Sequence, residues 1–178
     1  YRPDTLPKDY QSELVVTRHY VPKQFPFAFT NGVQGCYVEV DTNTGFVKFK
    51  KYVVVEDCGT VINPQLVDEQ IRGGVIQGLG GALYEECLYS SEGQFLNGNM
   101  ADYLVPMAVE MPDIEVGHVE TPTLESELGA KGAGEAGTGG APAVIMNAIN
   151  DALSPLGGKV TDQPFTPEKI LKAIGKIT

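Results

Sequence analysis

A helical run interrupted by glycines constrains the fold of this chain more than any other part of its sequence. Its apolar side chains recur four residues apart and so share one helix face, the residues being Val67, Ile71, Val75, Leu79 and Leu83. Asn63 and Pro64 precede them, as a capping residue and a first helical residue would. Each glycine inside a helix costs about 0.5–1 kcal/mol relative to alanine, and this run holds Gly73, Gly74, Gly78, Gly80 and Gly81. The glycines predict either close packing of the helix on a sheet or approach of its backbone to a large ligand.

Two runs rich in β-branched and aromatic residues precede this helix, at 36–41 and 46–55, and the turn residues 42–45 join them. Apolar and polar side chains alternate along both runs, which is typical of strands with one buried and one exposed face. The pattern predicts a β-hairpin that covers a core on one side.

The remaining elements are predicted from similar local signals. The runs 103–106 and 114–120 favour further strands, and an apolar stripe predicts a second helix over 142–152. Thr166 and Pro167 are typical of the cap and first residue of a third helix. Strands and helices that do not alternate strictly indicate an α+β fold, in which mixed sheet hairpins pack against glycine-rich helices. We expect one domain over 1–178, with a lead-in segment at 1–34 and a motif-bearing core at 35–178.

Charge and hydropathy narrow the classes of partner. A net charge of −10 would repel a phosphate backbone, so nucleic acid and anionic membrane surfaces are poor partners. No apolar stretch reaches the roughly 18–20 residues of a membrane span, and the first residues lack a signal-peptide pattern. We therefore expect a chain of the cytoplasm, with the periplasm as the alternative.

The cysteines do not form a metal or disulfide motif. Cys36, Cys58 and Cys87 are odd in number and widely spaced, without a Cys-x-x-Cys pair. A disulfide framework, a zinc site or an iron–sulfur site within this chain is therefore not predicted. We expect the three to be buried, reduced thiols.

The most unusual segment is 128–142, in which six of fifteen residues are glycine and the ionisable groups are Lys131 and Glu135. Such a segment ahead of a helix allows backbone N–H groups to converge on an anion. An ordinary surface loop is the alternative. The spacing Gly132-x-Gly134-x-x-Gly137 also satisfies the dinucleotide-binding fingerprint, but no buried parallel strand precedes it, and Glu135 would bring a carboxylate to a pyrophosphate.

Three blocks in order resemble the C-terminal part of the large subunit of molybdenum hydroxylases, the family of xanthine dehydrogenases, aldehyde oxidoreductases and carbon monoxide dehydrogenase-like proteins. They are 38–64, with its Glu-Asp-Cys-Gly-Thr-Val-Ile-Asn-Pro run, 70–86, and 129–153 around Gly-Ala-Gly-Glu-Ala-Gly-Thr. The resemblance implies the C-terminal molybdopterin-binding fold of the xanthine dehydrogenase type. Ala136-Gly137-Thr138 after the glutamate is similar to bacterial aldehyde and N-heterocycle hydroxylases.

The resemblance also implies roles for individual residues. Glu135 corresponds to the active-site glutamate, the base in a reaction that inserts water-derived oxygen into an aldehyde or N-heteroaromatic carbon. Ala133 and Gly134 would border the molybdenum and its pterin, and Gln70 would contact the molybdopterin from the other side; no side chain of this chain is implied as a metal ligand. The groups available to keep Glu135 ionised are the N–H donors of its segment and Lys131.

A cofactor and partners follow from the same resemblance. The cofactor would be molybdopterin with molybdenum, in its cytidine dinucleotide form. The remaining half of the molybdopterin-binding region, an iron–sulfur subunit and an FAD subunit would be partners, and the substrate a small molecule. The alternative from another class is a noncatalytic assembly or maturation partner that keeps the fold.

Overall fold

The computed structural model describes residues 16–19, 21 and 28–178, so most of the predicted lead-in segment lies outside the described residues. Its strands are β1 (Asn31–Val40), β2 (Val47–Asp57) and β3 (Ile114–His118), and its α-helices are α1 (Pro64–Leu83), α2 (Ala136–Leu153) and α3 (Pro167–Ala173). Short 3-10 turns cover Ala108–Glu110 and Ser154–Leu156. The predicted α+β class is confirmed, with a small mixed sheet.

The sheet has the order β1-β2-β3. Strands β1 and β2 form the predicted antiparallel hairpin, and β3 runs parallel to β2. Gly45 closes the hairpin turn with a φ of +77°, a left-handed conformation that favours glycine. The predicted alternation holds, because Val38, Tyr52 and Val54 are buried while Tyr37 is exposed. The hairpin therefore covers the core with one face.

The strand predicted at 103–106 is wrong. Leu104 and Val105 are 60% and 47% exposed, and the Val105 N–H bonds the oxygen of Tyr103 rather than a neighbouring strand. Pro106 has no N–H to contribute to a ladder. Apolar character alone suggested a strand there, but the segment is an irregular connection between α1 and β3.

Helix α2 begins at Ala136, well before the predicted start at Pro142. The second half of the glycine segment is therefore helical, and only residues up to Glu135 form a connection. Glycines lower helix propensity, but here contacts with α1 compensate. The Thr138 hydroxyl, for example, donates to the oxygen of Gly74 at 2.9 Å.

The close approach of α1 and α2 explains several glycines. A β-carbon on Gly78 would lie 2.8 Å from both the Ala141 side chain and the Thr138 oxygen, and one on Gly137 would lie 2.9 Å from the Val75 nitrogen. The packing partner of α1 at these glycines is thus a helix, which corrects the expectation of packing on a sheet. Two glycines of α1, Gly73 and Gly81, adjoin open space.

The core lies between the sheet and the helices. Its fully buried side chains include Tyr52, Ile71, Leu79, Ile145, Ile149, Phe165 and Ile170. The caps predicted for α1 and α3 are confirmed: Asn63 accepts a hydrogen bond from Leu66 N, and Thr166 accepts one from Lys169 N. The cysteines are free as predicted, but only Cys58 of the three is buried, since Cys36 is half-buried and Cys87 is exposed. Within the described ranges, no helix combines the length and apolar character that crossing a bilayer requires.

Candidate functional site

A cleft of about 670 Å³ opens where the amino end of α2 meets β1 and the end of β2. Its lining is Thr30, Asn31, Gly32, Gln34, Glu56, Gly132, Gly134, Glu135, Ala136, Gly139, Gly140, Ala143 and Val144. The volume is within the range of about 300–1,000 Å³ that small-molecule sites occupy. Two of the residues singled out in the sequence, Gly134 and Glu135, are part of this lining.

Glu135 is the residue that caps α2, yet its carboxylate makes no capping hydrogen bond. Its backbone oxygen accepts the N–H groups of Thr138 and Gly139, at 3.1 and 3.2 Å. The side chain is exposed and lines the cleft. Because the positive end of the helix dipole lies at the same place, a negative charge there is favoured. The Glu135 carboxylate therefore faces the cleft and is not used to cap the helix.

Gln70 lies beside the same segment. It projects from α1, and its side-chain Nε2 donates to the backbone oxygen of Gly134 at 3.0 Å. Ala133 is half-buried between the two lining residues Gly132 and Gly134. The structure therefore brings Gln70 to Ala133, Gly134 and Glu135, so that all four residues with implied roles lie in one place.

A second amide, Gln34 on β1, holds the other side of Glu135. Its Nε2 donates to the Gly137 oxygen at 2.9 Å, while its Oε1 accepts the Tyr52 hydroxyl at 2.6 Å. Burial raises the pKa of that tyrosine beyond its usual range, so the hydroxyl remains a donor. Gln34 was not predicted as a site residue, because no motif marks it and only the strand register brings it to the helix.

Glu56 on β2 is a buried carboxyl in the same lining, 2% exposed. Its Oε1 has no hydrogen-bond partner. Burial raises the pKa of this carboxyl, and a hydrogen bond with Gln34 and the nearby His118 oppose the rise. A sequence signal existed: position 56 falls on the same buried face as Tyr52 and Val54, where an apolar residue is expected.

Lys131, which was considered as a group that could keep Glu135 ionised, is paired with Asp57 instead. Its Nζ bonds Asp57 Oδ2 at 3.1 Å and the Thr121 hydroxyl at 2.9 Å. Asp57 also accepts the N–H of Gly59 at 2.9 Å, as a residue that opens a turn does. The backbone N–H groups of Gly59 and Thr121, with Lys131, hold the pKa of Asp57 below its usual value. Lys131 is thus part of a structural anchor for the connection that leads to Glu135.

Other polar residues of α1 make hydrogen bonds and ion pairs within the fold and do not line the cleft. Arg72 bonds the Ile114 oxygen at 3.3 Å and Glu69 at 2.7 Å, which ties α1 to β3. His118 Nε2 lies 2.6 Å from Asp68 Oδ1, and its Nδ1 is buried without a partner. His19, also outside the motifs, is exposed.

The cleft suits an anionic group held by backbone atoms. The N–H group of Ala136, the first residue of α2, has no acceptor inside the helix, and Ala136 lines the cleft. A β-carbon on Gly132 or Gly134 would meet nothing within 4 Å, so open space adjoins the backbone there. In the part of the chain that the structure describes, no cluster of three or more His, Cys, Asp or Glu residues is arranged to bind a metal. The amino end of α2 and the open backbone at Gly132 and Gly134 fit the phosphate of a cofactor.

Comparison with known proteins identifies the family of this chain. Residues 8–112 match the family model for a molybdopterin cofactor-binding domain. The nicotine 6-hydroxylase large subunit of Paenarthrobacter nicotinovorans is 46% identical over 82% of this chain and 18% of its own length. The carbon monoxide dehydrogenase large chain of Hydrogenophaga pseudoflava is 32% identical over 94% of this chain and 21% of its own.

Solved structures give the same result for the fold. Quinoline 2-oxidoreductase from Pseudomonas putida 86 superimposes with a TM-score of 0.79 and 41% identity, over 82% of this chain and 18% of that one. The Cu,Mo-CO dehydrogenase has a TM-score of 0.77 and 31% identity over 83% of this chain. The chain spans about a fifth of the length of these relatives. It belongs to the molybdopterin cofactor-binding domain family, in the branch found in the large subunits of molybdenum hydroxylases of the xanthine dehydrogenase type.

Proposed function

We propose that this chain forms one wall of the active site of a molybdenum hydroxylase, with Glu135 as the catalytic base. The observation that carries the proposal is the arrangement of Glu135. Its carboxylate makes no capping bond and faces a cleft, while amides from two other elements hold the backbone on either side of it. A base must be held in position and yet be free to accept a proton, and this geometry provides both.

The molybdopterin cofactor, when bound, supplies the redox chemistry that oxidises the substrate carbon. We propose its cytidine dinucleotide form. The amino end of α2 and the backbone around Gly132 and Gly134 would hold its anionic part, and Gln70 and Ala133 would border it. Glu135 would remove a proton from the water-derived nucleophile, which then attacks an electron-poor carbon.

The proposed substrate class is N-heteroaromatic compounds, with aldehydes as the second candidate. Relatives named for nicotine and quinoline are 46% and 41% identical to this chain, whereas aldehyde oxidoreductases are 31% to 36% identical. The remaining half of the molybdopterin-binding region, an iron–sulfur subunit and an FAD subunit would complete the enzyme. A noncatalytic assembly partner is not favoured, because the relatives are enzyme subunits.

The complete complex, purified with its own partners, tests this function. We expect about one molybdenum per copy of the chain, a pterin that releases cytidine monophosphate on hydrolysis, and hydroxylation of quinoline or nicotine. A well-folded complex that contains neither molybdenum nor pterin would contradict the proposal and support the assembly partner. A released nucleotide other than cytidine would contradict only the proposed cofactor form.

A further inference from the structure

Glu56 is a buried carboxyl, and one of its two oxygens has no hydrogen-bond partner within the described residues. In the described residues, the buried side-chain polar atoms without a hydrogen-bond partner are Glu56 Oε1 and His118 Nδ1, and they do not bond each other. A buried polar group left unpaired destabilises the folded state. Such a group is retained where a ligand provides the missing partner, and Glu56 lines the same cleft as Glu135.

The neighbouring strand makes room for this carboxyl. Gly32 on β1 is the residue paired with Glu56, and a β-carbon at position 32 would overlap the Glu56 carboxylate. On the other side, His118 of β3 is the register partner of Glu56. Gly32 does not adopt a left-handed backbone conformation, so backbone geometry does not require a glycine there. Its lack of a side chain instead leaves room for the Glu56 carboxyl. The Glu56 carboxyl thus occupies the space that a side chain at position 32 would fill.

We propose that Glu56 binds substrate, its free carboxyl oxygen donating a hydrogen bond to an acceptor atom, a ring nitrogen or a carbonyl oxygen, of the molecule in the cleft. The inference rests on the proposed function, because it takes the cleft of Glu135 as the substrate site. Two carboxyls in different environments share this cleft. Glu135 is exposed at a helix end, whereas burial raises the pKa of Glu56 and so favours its neutral form, which can donate.

The bond has a chemical purpose. An acceptor atom next to an electron-poor carbon gains negative charge when a nucleophile attacks that carbon. A hydrogen-bond donor aimed at the acceptor both orients the substrate and stabilises the added charge. Glu56 and Glu135 would then act on adjacent atoms of one substrate, the first at the heteroatom and the second at the nucleophile.

The test measures binding without turnover, in the complete enzyme reduced beforehand with dithionite. The probes are quinoline, its carbocyclic analogue naphthalene, and benzaldehyde. Wild-type enzyme should bind quinoline about tenfold more tightly than naphthalene, the effect of one hydrogen bond. Glu56→Leu should remove that preference, and Glu56→Gln, whose amide can donate, should keep it within about threefold. If Glu56→Leu weakens benzaldehyde binding instead, the acceptor is a carbonyl oxygen, and the proposal still stands.

Stability of the ligand-free enzyme supplies the second readout. Removing an unpaired buried carboxyl should raise the melting temperature of Glu56→Leu above that of wild type, while ligand affinity falls. Gly32→Ala, which displaces the carboxyl without removing it, should weaken ligand binding in the same way. Glu115→Gln, an exposed carboxylate of β3 paired with Lys51, is the matched control and should change neither value.

Two results would overturn the proposal: unchanged affinity for both quinoline and benzaldehyde in Glu56→Leu, or a lowered melting temperature, which would make Glu56 a structural partner. Neither depends on the role of Glu135, because reduced enzyme binds substrate without proton removal. An enzyme that binds quinoline through Glu56 but remains active without Glu135 would therefore contradict the proposed base alone.

Discussion

Gln70 on α1 donates its side-chain amide to the backbone oxygen of Gly134, one residue before Glu135, at a distance of 3.0 Å. Gln34 on β1 makes the equivalent bond to Gly137, two residues after it. The connection that bears the proposed base is thus held on both sides by amides that belong to rigid elements. A site fixed in this way keeps its geometry better than one on a free loop.

The Gln70→Ala enzyme should contain less molybdenum, yet turn over at near the wild-type rate per molybdenum bound. The substitution removes the hydrogen bond from Gln70 to the Gly134 oxygen. Such a bond is worth about 0.5–1.5 kcal/mol, enough to weaken cofactor binding up to about tenfold. A bound cofactor would itself order the connection, so the surviving sites should work. Molybdenum analysis and turnover per metal give the two values. Gln77→Ala, on an exposed part of the same helix, should behave as wild type; normal molybdenum content in Gln70→Ala would argue against the implied contact.

Close packing of α1 on α2 predicts opposite effects for two glycines of one helix. Gly78→Ala should destabilise the protein by about 1–3 kcal/mol, because its methyl group meets the Ala141 side chain and the Thr138 oxygen. Gly73→Ala adjoins open space and should stabilise by about 0.5–1 kcal/mol, the difference in helix propensity. Thermal unfolding of both variants decides the point. Equal effects would mean that the two helices do not approach as described.

The anchor formed by Asp57 and Lys131 should fail in acid. The pKa of Asp57 is lowered in the folded state, first by the N–H groups of Gly59 and Thr121 and then by Lys131. Its contribution to stability is therefore present above the unfolded pKa of about 3.9 and lost as the pH falls through the lower, folded pKa. Asp57→Asn should be less stable at neutral pH, because Lys131, whose side chain is 9% exposed, loses its ion-pair partner.

The measurement for this anchor is the free energy of unfolding between pH 2 and 7. Wild-type protein should lose stability steeply below about pH 4, and Asp57→Asn less steeply. Asp151→Asn, at an exposed position of α2, serves as the control and should retain the wild-type slope. A wild-type slope in Asp57→Asn would show that other carboxyls cause the acid sensitivity.

Local patterns predicted the elements that local interactions determine. The hairpin, the capped start of α1 and the capped start of α3 all depend on neighbours in sequence, and the structure confirms them. The start of α2 did not follow, because its glycines are helical only through contact with α1. The run at 103–106 has strand-like residues but no strand beside it to pair with.

The site was predictable only as far as its motifs reach. Glu135 and Gln70 lie in recognisable blocks, so the resemblance could assign them roles. Gln34, Gly32 and Glu56 come together through the register of β1 on β2, and the hairpin pattern alone does not show which residues will face α2. Glu56 still carried a physical signal, since a carboxyl at a buried position of a strand requires an explanation.

Replacing Glu135 with glutamine keeps the size and shape of the side chain and removes its ability to accept a proton. If Glu135 is the base, reduction of the enzyme by substrate in a single turnover should slow by about 100- to 10,000-fold, the usual effect of losing a general base. Molybdenum content should stay near normal, because the carboxylate makes no capping bond and the backbone contacts of Gln34 and Gln70 remain.

Two further measurements complete the test of the base. Reoxidation of the reduced Glu135→Gln enzyme by an artificial acceptor should proceed at the wild-type rate, because electron exit would pass through partner subunits that do not depend on this carboxylate. Glu127→Gln, an exposed carboxylate earlier in the same connection, is the control and should be reduced by substrate normally. If Glu135→Gln is reduced as fast as wild type, the residue has no part in proton transfer. If the variant loses its molybdenum, its role is to hold the cofactor, and the base must be sought elsewhere in the enzyme.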